Sequence, residues 1–303
     1  MDHAGAVAGP FLALIVLLTL FLGFNMNDPL LVLRRTFYLA IIPGILAVLT
    51  IIFFVKESGP AVKSARPFSL SLKQLDKNFV NYLLTMIVFT LGNSSDAFLL
   101  FRVEEAIHKS GAVVAIFNRI PVLQQLISRF ADVGARDQVI NILFLPLIWA
   151  FFHVIKVIFS TPLGALSDKI GRKTVIHIGW AIYAFVYVAF ALLVFIPAAW
   201  QVPATLILFA VYALFYAFSE GAEKAFVADL VGPERRGTAF GLYNFSIGLS
   251  ALPASVIFGA LYHFVDRAFP GYGGTVAFGF GALLALISMG MLQFMVKEKS
   301  IDN

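Results

Sequence analysis

The chain has 303 residues, of which 60% are hydrophobic and 13% charged, and its formal net charge is +5. Soluble domains carry about twice that share of charged residues, so a water-soluble domain is excluded, and a mean hydropathy of +0.90 indicates an integral membrane protein. The absence of cysteine excludes disulfides, thiolate metal sites and a cysteine nucleophile, while basic residues gathered in particular loops argue against nucleic acid as a partner.

Residues 3–27 and 36–55 carry no formal charge. Each run is long enough to cross a hydrocarbon core of about 30 Å at about 1.5 Å per residue. The first holds Gly5, Gly9 and Pro10; small residues four apart predict close helix crossing, and the proline predicts a bend near the helix start. A basic n-region and a small-x-small cleavage site are missing, so this run does not read as a secretory signal. Residues 56–78, with Lys56, Lys63, Arg66, Lys73, Lys77 and two prolines, read as a cytoplasmic linker.

A third span is predicted over about 79–101. It contains Gly92, Asn93, Ser94, Ser95 and Asp96 in succession, a patch whose polarity is costly in lipid. Residues 102–138 then form a long connection. Within it, apolar residues from Ile116 to Phe130 recur at three-to-four spacing opposite Arg119, Gln124, Gln125 and Arg129. This predicts one amphipathic helix at about 112–133, lying on the membrane surface, with Pro121 near its start.

The fourth run, about 139–163, has Lys156 as its one formal charge, with His153 and Ser160 on the same helix face. Thr174–Ser219 is free of formal charge and too long for one crossing, so two helices broken between Pro197 and Pro203 are predicted. Glu220–Gly237 reads as a charged segment leaving the membrane, and 237–265 and 268–296 as the last two spans, separated by Asp266 and Arg267. Eight spans result. Basic residues favour the linker, the loop before Thr174, the Glu220–Gly237 segment and the tail, which makes those sides and both termini cytoplasmic.

Gly164, Asp168, Lys169, Gly171, Arg172 and Lys173 stand in the pattern G-x-x-x-D-K-x-G-R-K. This resembles the signature loop of major facilitator superfamily (MFS) transporters, found between their second and third helices and again between the eighth and ninth. Pro233, Glu234, Arg235, Arg236 and Gly237 resemble the P-x-x-R-G connection between the tenth and eleventh helices, and the Gly5-to-Pro10 stretch looks like the family's fifth helix. The resemblance implies an all-α integral membrane protein with an MFS-like helical bundle of eight transmembrane helices. Residues 1–55 would be the last two helices of the N-terminal half, and 79–299 a complete six-helix C-terminal half. The long 102–138 connection departs from the short one usual in the family. With four of twelve helices missing, the chain is expected to be a fragment, a truncated frame or one part of a split protein, not competent to transport alone.

The implied function is secondary transport of a small solute by alternating access, as a symporter or antiporter in a prokaryotic plasma (inner) membrane. The expected partners are the lipid bilayer, a small-molecule substrate, protons or another coupling ion, and the missing N-terminal helices. Neither a phosphate-binding G-x-x-x-x-G-K-[ST] loop nor an H-E-x-x-H zinc pair is present, so no cofactor, metal or enzymatic role is expected. The alternative is a non-transporting membrane protein, an assembly factor or sensor, that kept the bundle.

By resemblance, the cytoplasmic gate comprises Gly164, Asp168, Lys169, Gly171, Arg172, Lys173, Glu234, Arg236 and Gly237, with Glu220 or Glu223 as a further partner. Asn93, Asp96, His153, Lys156, Tyr212, Tyr216 and Glu220 are the cavity candidates. An intramembrane charge needs a partner or a wet cavity, which pairs Asp96 with Lys156 to bind a charged substrate or to couple proton movement. A plainer arrangement fits the same residues: Lys156 snorkelling, Asp96 in a polar packing patch with Asn93, and the tyrosines as packing.

Overall fold

A computed structural model describes residues 2–55 and 76–298. The body of the expected 56–78 linker, residues 56–75, and Lys299 of the tail lie outside the described residues. Among those described, eight helices are long and apolar enough to cross a membrane.

Two lie at the N-terminal end: α1 (Asp2–Leu18), continued by a π-turn at Thr19–Gly23, and α2 (Pro29–Phe54). Asp28 starts α2 by accepting from the backbone N–H groups of Leu30 and Leu31, and Pro29 needs no such acceptor. α1 packs mainly on α7 (Val133–Ile170), while α2 leaves nearly its whole apolar surface open. Among the described residues the close packing expected at Gly5 and Gly9 is not found, because a Cβ at either would meet nothing within 4 Å. Pro10 lies inside α1.

The third span is two helices, α3 (Lys77–Gly92) and α4 (Ala97–Ser110), instead of one unbroken rod. Asn93 closes α3 through its backbone N–H, and Tyr183 donates to the carbonyl of Gly92 at 2.8 Å. That hydrogen bond satisfies a backbone acceptor freed by the break, which an apolar interior requires. The predicted amphipathic helix is likewise two pieces, α5 (Ala112–Arg119) and α6 (Pro121–Ser128), because Pro121 starts a new helix and leaves Ile120 extended. Arg129 ties this connection to α1: its Nη1 donates to the Phe21 carbonyl at 3.1 Å and to Asn25 Oδ1 at 2.6 Å.

α7 has 38 residues, about 57 Å of helix, so it outreaches the bilayer. α8 (Arg172–Leu192) follows after Gly171 alone, and α9 (Ala198–Leu230) starts directly after Pro197 and runs through Pro203, so the break lies at and before Pro197 and not across the expected Pro197-to-Pro203 stretch. α9 carries Glu220, Glu223 and Lys224 within its length; the charged segment that should have left the membrane at Glu220 therefore shrinks to a short link at Val231–Arg235. α10 (Arg236–Ala268) and α11 (Gly273–Met295) complete the bundle.

On α8, Trp180, Tyr183, Tyr187 and Phe190 recur at three-to-four spacing and are fully buried, while Phe185, Val188 and Leu192 face outward. Phe89 of α3 stacks on Trp180 with centroids 4.3 Å apart, and Phe278 of α11 lies 5.3 Å from Phe190. α3 and α11 approach until a Cβ on Gly92 would sit 2.9 Å from the Gly281 carbonyl, and one on Gly281 2.7 Å from the Gly92 carbonyl. Small residues allow such contact, which drives helix association where lipid removes any hydrophobic gain. On α10, by contrast, Gly259 meets Phe98, while Cβ atoms on Gly241 and Gly248 would meet nothing within 4 Å among the described residues.

Candidate functional site

Four residues of α9, Tyr212, Tyr216, Glu220 and Lys224, recur every fourth position and form one stripe facing α7 and the α3–α4 break. At the break, Asp96 accepts from Tyr212 at 2.6 Å and from Tyr216 at 3.2 Å. On α7, Lys156 Nζ lies 2.7 Å from Glu220 Oε2 and 4.8 Å from the Tyr216 ring centroid. The other Glu220 oxygen accepts from Lys224 at 3.1 Å. Ser160 donates to the Lys156 carbonyl at 2.6 Å, one turn along the same face.

Lys156, Ser160, Thr161, Tyr216, Glu220 and Lys224 line a cavity of about 370 Å³. The arrangement can do two things chemically. It offers an ammonium and a carboxylate that are paired with each other and open to exchange, and it holds a second carboxylate behind an aromatic wall.

The expected direct pair between Asp96 and Lys156 is replaced by a relay through Tyr216, whose hydroxyl reaches one and whose ring carries the other. Glu220 is the missing partner. The sequence leaves it open between the cavity and the cytoplasmic charge network; the structure puts it beside Lys156, and its four-residue step from Tyr216 is the sequence signal consistent with that place. His153 stands edge-on to Trp149 and Phe152, with centroids 5.0 Å away, and is not among the residues lining the cavity. Asn93 acts through its backbone at the end of α3.

Glu223 faces the other way. It is buried against α8 and α10, accepting from Trp180 Nε1 at 2.8 Å and Tyr243 at 3.1 Å, so it is a core acceptor and not the further gate partner expected.

The resembling motif is mostly helix. Gly164, Asp168 and Lys169 occupy the last turns of α7, Arg172 and Lys173 begin α8, and only Gly171, at φ +92°, lies between. A Cβ on Gly164 would meet nothing within 4 Å. Arg172 bridges Asp168 at 3.0 Å and also pairs with Asp229 near the end of α9.

Glu298, just past α11, caps α8 by accepting from the backbone N–H groups of Arg172 at 2.7 Å and Lys173 at 3.2 Å. Lys173 reciprocates on the carbonyls of Gln293 and Val296 at 3.0 and 2.9 Å. A cavity of about 510 Å³ at this end is lined by Asp168, Arg172, Asp229, Arg236 and Glu298, among others.

Asp168 and Arg236 thus share one end of the bundle. Glu234 folds back on its own turn, its carboxylate 2.5 Å from where a Gly232 Cβ would be, and Gly237 faces open space at the start of α10. Asp229 and Glu298 replace Glu234 as the carboxylates that hold Arg172. Sequence reasoning missed both because one lies at a helix end and the other in the tail.

Residues 130–302 match the Major Facilitator Superfamily. Over 293 residues the chain is 30% identical to an uncharacterized MFS-type transporter of Methanocaldococcus jannaschii, a stretch covering 97% of this chain and 61% of that protein. The chain therefore spans about three fifths of the length of the curated relative it matches. No solved structure matches.

Proposed function

The chain belongs to the major facilitator superfamily, and from that premise we propose that the complete gene product is a secondary transporter carrying a small solute by alternating access. The observation that supports this most is the Lys156–Glu220 pair facing a cavity lined by α1, α7 and α9. Charged groups at that depth are expensive, and membrane proteins keep them where a substrate or ion passes.

In this reading the cavity takes the solute, and Asp96, hydrogen-bonded by two tyrosines, takes the coupling proton or other ion. The Arg172 cluster with Asp168, Asp229 and Arg236 holds one of the two access states on the cytoplasmic side of a prokaryotic plasma membrane. The protein is read as a carrier because the charged groups that line the cavity, Lys156, Glu220 and Lys224, pair with one another.

Uptake of a panel of radiolabelled solutes into vesicles containing the complete gene product tests the proposal. Uptake that Lys156→Leu abolishes, or whose selectivity it changes, is expected. Unaltered uptake by that variant refutes the assignment of the site.

A further inference from the structure

The charges around the cavity are not symmetric, and the asymmetry bears on substrate class. Lys156 is 13% exposed, Glu220 36% and Lys224 55%. Glu220 has two cations, Lys156 at 2.7 Å and Lys224 at 3.1 Å. Among the described contacts, Lys156 has one carboxylate, Glu220, and the face of Tyr216. Asp96 is the other carboxylate nearby and is already bonded by Tyr212 and Tyr216.

A ligand entering here has to take one partner from the other, and the two outcomes differ in cost. An anion that takes Lys156 leaves Glu220 with Lys224 in the more solvated part of the cavity. A cation that takes Glu220 leaves Lys156 nearly buried, with only an aromatic face. Breaking a buried pair so that one charge is stranded is the expensive case. Exchange at this site therefore favours the anion.

The head group can be narrowed further. The cavity presents lysine, a point charge, and no arginine fork. Bidentate recognition of phosphates and dianions favours arginine forks, and lysine binds them as a point charge; with Lys224 holding Glu220, the one ammonium left, Lys156, with neighbouring Ser160 and Thr161, suits a single negative charge. The three charged groups lining the cavity sum to one positive charge, which a monoanion neutralises. Tyr216, Ala217 and Ala6 supply apolar wall for its body.

We infer that the solute of this site is a small organic monocarboxylate that binds Lys156 by displacing Glu220, which swings to Lys224 as a built-in counter-ion. The inference rests on the transporter reading of the same cavity for its place in a cycle, but not for its binding chemistry.

Three probes sharing one ring separate the charge classes: benzoate, phenyl phosphate and benzylammonium, titrated calorimetrically against the complete gene product in lipid nanodiscs. Benzoate is expected to bind best. Glu220→Gln, which removes the competitor while keeping size and an acceptor for Lys156, should tighten benzoate by about tenfold or more, equivalent to about 1.4 kcal/mol. Lys224→Gln should weaken it several-fold, and Lys156→Gln should lose it.

The inference is overturned if benzoate binds neither wild type nor Glu220→Gln, if Glu220→Gln weakens it, or if either other probe binds better. Binding as expected with no flux of any solute removes the transporter reading and leaves this one. Flux of a cation that depends on Lys156 does the reverse.

Discussion

Lys156 Nζ stands 4.8 Å from the ring centroid of Tyr216, whose hydroxyl donates away from it to Asp96 Oδ2 at 3.2 Å. One side chain thus serves two charges of opposite sign, and the two services are separable. Tyr216→Phe keeps the ring under the ammonium and removes one donor from Asp96, costing about 1–3 kcal/mol. Tyr216→Leu loses the ring as well, adding about 0.5–2 kcal/mol. Thermal unfolding in detergent should rank wild type above Phe and Phe above Leu. Equal loss in the two variants would show that the ring contact contributes nothing.

At the end of the bundle that carries Arg172, Gly171 and Glu298 form a second unit. A side chain at φ +92° is strained, and a Cβ there would sit 3.1 Å from the Glu298 carboxylate. Gly171→Ala should cost about 1–3 kcal/mol, and Glu298→Ala, which uncaps α8, about 0.5–2 kcal/mol. The double variant should cost less than the two combined, since removing the carboxylate relieves part of the crowding. Additive losses in unfolding experiments would mean that the two do not meet.

The span count and the family were legible because they depend on long apolar runs and two short motifs. What was not legible depends on pairing between helices. Nothing in the spacing of Asp96 and Lys156 shows that Tyr216 stands between them, and the tail residue Glu298 gives no local sign of reaching α8. The break after Gly92 was half visible, since Gly, Asn and Ser cluster there, but the partner that makes it tolerable, Tyr183, is 91 residues away. Glycine positions misled most: Gly5 and Gly9 have the right spacing and open surroundings, while Gly92 and Gly281 approach each other closely.

That approach gives a third test. Gly92→Ala and Gly281→Ala must push α3 from α11 and should each destabilise the bundle by about 1–3 kcal/mol. Gly290, on the same helix as Gly281, meets nothing within 4 Å, so Gly290→Ala should stay within about 0.5 kcal/mol of wild type or improve on it through helix propensity. Equal effects at positions 281 and 290 would contradict the packing.

Glu223 supplies a fourth. Its replacement by Leu strands the donors of Trp180 and Tyr243 in the core, at about 1–3 kcal/mol for each, while Glu223→Gln keeps an acceptor for one. The indole emission of Trp180 should shift in the Leu variant more than in the Gln variant. Emission unchanged in both would place the indole elsewhere.

The central claim is that the cavity between Lys156 and Glu220 opens to each side of the membrane in turn. These 303 residues hold no cysteine, so Ser160→Cys in the complete gene product, with any cysteine outside them replaced by serine, introduces one thiol beside Lys156 in an unreactive background. Its labelling by a membrane-impermeant thiol reagent is measured in right-side-out and in inside-out vesicles. The account predicts labelling from both sides, with the balance shifted when Arg172→Ala loosens the cytoplasmic cluster. Labelling from one side alone, unchanged by Arg172→Ala, would contradict it.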